Sequence, residues 1–354
     1  MGSGEDKIRR ILVVRMSAIG DIILTTPLLR AVRAKFPQAQ IDFLTKSKYR
    51  ELLEHHPLVH EVVGFDTSLG FRGLLRLVAG LRKEKYDLVL DLHSNPRSIL
   101  VRLFCGAKMR RRSRKYSLER RLLKWFGINL MKNAPPVAER YFTALKNFGV
   151  KPDGLCAEIF PSSADLEKAE SILSAAGLAG KALVGLAPGA SRFTKIWPAH
   201  YFSAAGAKLA QELKAGIVIL GGAEDKAAAA EVESRLKAEF PGPVMNLAGA
   251  LSLLESAAVV RSVTILLSND TALMHLASAG DTPVVAIFGP TTREMGFFPY
   301  CKKAAVIEKQ GLDCRPCSLH GTDQCPEKHF RCMLDIEPQE VVRAAQKFFK
   351  EKPQ

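Results

Sequence analysis

The sequence predicts an α/β protein made of two Rossmann-like domains in tandem. Three observations carry this expectation. Short apolar, β-favouring runs alternate with segments of helical spacing. The alternation halts at a basic middle section and then starts again. Most apolar runs end in glycine, hydroxyl or charged residues. Continuous apolar runs suit parallel strands buried on both faces, and a βαβ alternation builds an open parallel sheet. A chain of 354 residues is also longer than one hydrophobic core comfortably serves.

The first strand is KIRRILVVR, in which Ile11, Leu12, Val13 and Val14 form an unbroken run. MSAIGD follows as a tight loop, and DIILTTPLLRAVRAKFP has helical spacing that stops at Pro37. QIDFLTK is the next strand, residues 49–55 are helical, and HEVVGFD is a third strand. A helix over residues 74–85 leads to YDLVLDLHS, a buried strand with a polar end. The pattern resumes with KALVGLAPG as strand and glycine turn, WPAHYFSAAGAKLAQEL as helix and AGIVILGGAED as strand. SVTILLSND and TPVVAIFGP are further strands, and EPQEVVRAAQKFFKEK is a closing helix. The linker falls between residues 149 and 166. The expected domains are therefore 1–160 and 161–335, with the last helix in 336–354.

Composition narrows the partners. The chain holds 51 Lys and Arg against 36 Asp and Glu, a net charge of +15, which implies a polyanionic partner. No apolar run approaches the roughly 18 residues that span a bilayer. The polar start MGSGEDKIRR is not expected to be a signal peptide. Seven cysteines with CRPC as the one tight pair argue against a secreted disulfide scaffold, so a cytosolic protein is expected.

In open α/β sheets, ligands bind beyond the carboxyl ends of the strands, where helix N-termini present free N–H groups. Asp21 follows the first strand, and His93, Ser94 and Arg97 follow YDLVLDL. Ser191, Thr194 and Lys195 follow ALVGLAPG; Gly221, Gly222 and Glu224 follow GIVIL; Asp270, Thr271 and His275 follow ILLSN; Gly289, Pro290 and Thr291 follow VVAIF. PGASRFTKIWP has the chemistry to bind a diphosphate, with backbone N–H groups, hydroxyls and one lysine. It equally suits an ordinary helix cap with a solvated lysine. SNDTALMHLA opens a helix with a capping cluster and brings His275 about one turn later, a ligand face or simply a cap and a satisfied histidine. Neither a GxxxxGK[ST] loop nor a GxGxxG in the first turn is present, which counts against an ATPase and a dinucleotide oxidoreductase.

Taken in order, RMSAIGDIILTTPLLRAVR, PGASRFTKIWP, GGAED, SNDTALMHLA and IFGPTTREMGFFPY resemble glycosyltransferase family 9, the ADP-heptose:lipopolysaccharide heptosyltransferases. The resemblance runs from about Ile8 to Ile336 and implies the GT-B fold, two Rossmann-like domains facing a central cleft. It implies Asp21 as general base. Ser191, Thr194 and Lys195 would hold the donor phosphates, Glu224 the ribose, and Leu251 the adenine. Asp270, Thr271, Ala272 and His275 would hold the sugar-diphosphate end. Ala190 and Ala272 depart from residues common in the family, a hydroxyl and a glycine. The implied chemistry is inverting transfer of heptose from ADP-heptose to the Kdo/heptose inner core on lipid A, with no metal or other cofactor. A base typically contributes about 10²–10⁴-fold, and donors on the departing diphosphate stabilise its charge. A helix N-terminus near Asp21 would lower its pKa and weaken it as a base.

Between residues 97 and 124 eleven basic residues stand against one acid, Glu119, and Trp125, Phe126, Ile128, Leu130 and Met131 follow. This stretch is expected to grip the anionic acceptor and the inner face of the inner membrane as a peripheral contact, with His93, Arg97 and Arg120 as acceptor-binding residues. A solvated basic face is the plain alternative. Nucleic acid is not expected, because the aromatics do not interleave with the charges. Cys314, Cys317, Cys325 and Cys332, with His320 and His329 near, have spacing that either a structural zinc or reduced buried thiols would satisfy. Two other classes compete with the transferase: a nucleotide-sugar epimerase or hydrolase of the same architecture, and a non-catalytic protein that binds nucleic acid or membrane. Another nucleotide sugar as donor is a further alternative.

Overall fold

A computed structural model describes residues 7–350. Residues 1–6, part of the polar N-terminus, and 351–354, the end of the expected closing helix, lie outside the described residues.

The first unit runs to Tyr116 and resumes over Pro135–Phe160. Its strands are β1 (Arg10–Val14), β2 (Gln40–Lys46), β3 (Glu61–Phe65), β4 (Leu88–Asp91) and β5 (Met109–Arg112). All pair in parallel, in the order β3-β2-β1-β4-β5. Leu12, Val14, Leu44, Val89 and Val101 pack one face of the sheet, and residues 11–14 of β1 and 88–90 of β4 are buried throughout, which is why they read as continuous apolar runs. The chain builds outward from β1 through β2 to β3, then returns to the other side of β1 as β4. The strand order therefore reverses between β1 and β4, and the residues beyond their carboxyl ends share one crevice.

The second unit takes Ser117–Ala134 and everything from Pro161. Sequence reading keeps residues 117–134 in the first domain; the packing groups them with the second. The strands are β6 (Leu183–Ala187), β7 (Gly216–Ile219), β8 (Val244–Asn246), β9 (Ile265–Asn269), β10 (Val284–Phe288) and β11 (Ala304–Glu308). They are again all parallel, in the order β11-β10-β9-β6-β7-β8, so the reversal falls between β6 and β9. Trp197, Phe202, Ile217, Ile287 and Met333 fill one core layer, and Val218, Leu266, Met274 and Phe288 fill another.

Two expectations change. The single helix expected over DIILTTPLLRAVRAKFP is two helices, Ile19–Ile23 and Thr26–Lys35. The Thr25 and Thr26 hydroxyls turn back to the Ile22 and Ile23 carbonyls at 2.7 and 2.9 Å, and Pro27 has no N–H with which to continue the ladder. Asp21 accordingly lies in a helical first turn and not in the preceding loop. Strands β5, β8 and β11 also have no counterpart in the sequence reading. Among the described residues no helix is long and apolar enough to cross a membrane.

Candidate functional site

In the first unit, Arg15 follows the last residue of β1 and Asp21 lies six residues on. Arg15 Nη2 is 2.6 Å from Asp21 Oδ1. The Tyr141 hydroxyl donates to the same oxygen at 3.1 Å, and the Ala18 N–H reaches Oδ2 at 3.3 Å. Arg15 is itself held, donating to the Leu92 carbonyl at 2.7 Å and lying over the Tyr141 ring. Burial pushes the Asp21 carboxyl up, but the Arg15 charge and the donated hydrogen bonds outweigh it, and the group ends below the usual carboxylate range. The expected lowering is present; Arg15 is the largest force behind it.

His93 and Ser94 follow β4 in the same crevice. The buried Asp91 carboxylate shapes this turn by accepting the N–H groups of both, at 3.0 and 2.8 Å. Among the described residues, His93 Nδ1 and Ser94 Oγ have no hydrogen-bond partner and are buried. Burial, with Arg15 and Lys115 nearby, depresses the His93 imidazole to about 3, so it is neutral near pH 7. Lys115 donates to the Ser94 carbonyl at 3.0 Å. Arg97 is exposed in the first turn of the helix Pro96–Phe104, whereas Arg120 sits on the helix Ser117–Phe126, in the segment that packs with the second unit.

In the second unit the loops after β6 and β9 flank the strand-order reversal. Lys195 Nζ is 2.7 Å from Asp270 Oδ2, with both side chains largely buried, and the Thr291 hydroxyl donates to the same oxygen at 3.1 Å. Thr271 caps the helix Ala272–Ala279, accepting the Leu273 N–H at 3.2 Å, so Asp270, Thr271 and Ala272 stand at its positive end. His275 is buried one turn further on. Thr194, expected beside Lys195 on the phosphates, is buried, and its hydroxyl both donates to the Thr322 carbonyl (2.9 Å) and accepts the Thr322 N–H (2.7 Å). Ser191 is exposed at the loop tip. Glu224 is exposed on the turn Ala223–Asp225, and Leu251 is half-buried against the core. Gly189 admits no side chain: a Cβ there would lie 2.0 Å from the Asp225 carboxylate, which in turn accepts the Gly222 N–H at 2.8 Å.

Residues the sequence reading passes over hold this geometry. The buried Asn269 amide accepts the Trp197 N–H at 3.1 Å and donates to the Pro188 carbonyl at 2.7 Å, tying the end of β9 to both parts of the β6 loop. Arg315 donates to the carbonyls of Gly289 (2.6 Å), Thr291 (2.9 Å) and Lys309, and pairs with Glu308 at 2.7 Å. Asn269 and Arg15 sit at strand ends, where the general rule already directs attention; Tyr141 and Arg315 carry no such signal.

All seven cysteines are free. Cys332 is buried in the second core and its thiol is pushed up to about 12 by burial, while Cys314, Cys317 and Cys325 are partly exposed. Among the described residues no three His, Cys, Asp or Glu side chains converge as a metal-holding group.

A model of the family described as "Glycosyltransferase family 9 (heptosyltransferase)" matches residues 74–329. The lipopolysaccharide heptosyltransferase 2 of Salmonella typhimurium is 29% identical, with 94% of this chain and 96% of that protein covered. The structure of the Escherichia coli ADP-heptose lps heptosyltransferase II aligns with a TM-score of 0.73 and 25% identity over 96% of this chain and 98% of that one. The glycosyl transferase family 9 protein from Veillonella parvula aligns with a TM-score of 0.80 and 22% identity over 97% and 98%.

Proposed function

Because the chain belongs to glycosyltransferase family 9, the heptosyltransferases, we propose that it moves heptose from ADP-heptose onto the Kdo/heptose inner core of lipopolysaccharide, with inversion at the anomeric carbon. Relatives named as lipopolysaccharide heptosyltransferases, and a structural neighbour named for ADP-heptose, support this donor and acceptor. The observation that carries the reading is the chemistry at the two strand-order reversals. One presents an ionised, largely buried carboxylate, Asp21, and the other presents a lysine at a helix N-terminus, Lys195.

In this reading domain 1–160 binds the acceptor and domain 161–335 binds the donor. Asp21 takes the proton from the attacking hydroxyl, and its place on the resting protein beside Arg15 keeps it ionised. Lys195 turns from Asp270 toward the diphosphate, and the first N–H groups of the helix Ala272–Ala279 stabilise the charge that develops as it leaves. Ser191 supplies a hydroxyl to the phosphates, and Thr194 contributes by holding the Lys195 loop against Thr322. Glu224 accepts the ribose hydroxyls, Leu251 packs the adenine, and His275 completes the sugar end with Asp270, Thr271 and Ala272. The unpartnered His93 Nδ1 and Ser94 Oγ meet acceptor hydroxyls, and Arg97 and Arg120 meet its anionic groups.

The protein acts at the inner face of the inner membrane as a peripheral protein. Support comes from the helix Ser117–Phe126, which combines Arg121 and Lys124 with exposed Leu118, Trp125 and Phe126, and from exposed Ile128 and Leu130 beyond it. The relatives are named transferases, so the epimerase or hydrolase alternative is not retained.

The test is to incubate the protein with ADP-heptose and acceptors truncated to Kdo, or to Kdo bearing one heptose. Product mass and anomeric configuration are the readouts. One added heptose of inverted configuration is expected. Hydrolysis of donor without transfer, or no addition to any acceptor, overturns the reading.

A further inference from the structure

Both Arg15 and Tyr141 address one oxygen of Asp21. Arg15 Nη2 lies 2.6 Å from Oδ1 and the Tyr141 hydroxyl 3.1 Å from the same atom. Among the described residues, Oδ2 receives only the Ala18 N–H at 3.3 Å. A carboxylate oxygen has two lone pairs, so Oδ1 is filled while Oδ2 keeps acceptor capacity. We propose that Arg15 and Tyr141 are positioning residues that commit Oδ1 to the protein and leave Oδ2 as the atom that takes the acceptor's proton. This rests on Asp21 being the base.

The pair is preorganised. Arg15 is anchored by the Leu92 carbonyl at 2.7 Å and stacks over the Tyr141 ring, whose centroid is 5.5 Å from the guanidinium carbon. The clamp therefore joins the end of β1, the first turn after it, and a 3₁₀ segment, Tyr141–Phe148, far along the chain. Tyr141 is buried beside Asp21, which keeps its phenol protonated and so always a donor. Further charged or titratable groups near the clamp are neutral His93 after β4, which itself feels Lys46 at the end of β2 and Lys115, the buried Asp91 near Arg15, and Arg140 near Tyr141.

The step balances simply. The acceptor O–H proton passes to Oδ2, and the freed oxygen pair forms the bond to the anomeric carbon. The bond from that carbon to the diphosphate breaks, and its electron pair leaves with the diphosphate oxygen. Arg15 and Tyr141 keep their protons throughout.

The clamp trades basicity for orientation and for certainty of ionisation. Without Arg15 the carboxyl remains buried but loses its main counter-charge, so protonation moves into a measurable range. The experiment measures kcat/KM against pH for the full-length wild type, Arg15→Gln, Arg15→Lys, Tyr141→Phe and Asp21→Asn, with thermal midpoints for each. Wild type is expected to show no acid limb from Asp21 above pH 5. Arg15→Gln gains one, with activity at pH 5 about tenfold below that at pH 8, equivalent to an acid limb whose midpoint lies about one pH unit above pH 5. Arg15→Lys restores most of the flat profile. Tyr141→Phe, which should fold, loses about threefold at pH 5 relative to pH 8 with donor KM unchanged, as expected for one hydrogen bond to a charged group. Profiles for Arg15→Gln and Tyr141→Phe that parallel wild type, lowered equally at every pH or not at all, overturn the proposal. If Arg15→Gln does not fold, the Tyr141→Phe profile decides alone. Full activity in Asp21→Asn would instead remove the base itself.

Discussion

Arg315→Met tests how the second unit holds the loop after β10. The Arg315 side chain is 6% exposed and its partner Glu308 15%. The substitution leaves the Glu308 carboxylate and the Gly289, Thr291 and Lys309 carbonyls without their donor. Breaking a buried pair from one side costs about 3–5 kcal/mol, and the partial exposure of Glu308 argues for the lower end, about 3 kcal/mol. For a unit of this size each kcal/mol moves the midpoint by about 2–4 °C, so a fall of roughly 6–12 °C is expected. The fluorescence of Trp197, fully buried with its N–H on the Ile336 carbonyl, reports that transition. Function should suffer too, because Thr291 passes its hydroxyl to Asp270 and Asp270 fixes Lys195. Calorimetric titration should show ADP binding about tenfold weaker, a loss of about 1.4 kcal/mol. Adding Glu308→Leu to Arg315→Met removes the stranded carboxylate and should recover part of the midpoint without recovering ADP affinity. A midpoint within about 2 °C of wild type would refute the reasoning, since the loss of four contacts would then carry no cost.

Lys195→Met should weaken donor binding by roughly 10–150-fold, as expected for one hydrogen bond to a charged group, and Asp270→Asn in the same background should restore stability but not affinity, read by ADP titration and thermal melting. His56, buried, and His93, largely buried, are held neutral, at about 4 and about 3 against 6.5, in each case mainly by desolvation. The unfolded chain takes up these protons first as pH falls below 6.5, so first-unit stability should decline from there and level off below the folded values. For His56 the loss amounts to about 3 kcal/mol in total, and urea midpoints across this range, compared with His56→Gln, check the sign. Trp125→Ala with Phe126→Ala should weaken binding to vesicles containing anionic lipid about tenfold or more while leaving transfer to a water-soluble truncated acceptor unchanged, measured by co-sedimentation and product mass.

Much of the sheet was legible because β1, β4, β6, β9 and β10 are central strands or lie next to one, buried on both faces, and therefore carry apolar runs. The strands that escaped are edge strands: β5 is MRRR, β8 spans three residues, and β11 follows two lysines. One face or end of each is wet, so no periodic signal builds up. The helix break at Thr25 and Thr26 turned on side-chain hydroxyls competing for carbonyls, which spacing does not reveal. Among the candidate site residues, Asp21, His93, Lys195 and Asp270 follow strand ends, where the rule that ligands meet strand ends directs attention. The partners were less so: Tyr141 is separated from Asp21 by 120 positions and Arg315 from Gly289 by 26. Thr194 was read as a phosphate ligand from its place beside a lysine, and spacing gave no sign that its hydroxyl is tied to the Thr322 backbone.

The Asn269 amide works as a connector with two unlike poles. Its oxygen must meet an N–H and its nitrogen must meet a carbonyl, so the position tolerates only a group that can give and take hydrogen bonds at once. An aspartate would turn a negative oxygen on the Pro188 carbonyl, a leucine would abandon both neighbours, and a glutamine would overshoot by one methylene. Substitutions at the flanking loop tips therefore leave the register between β6 and β9 intact, because this polarity-matched joint sets it.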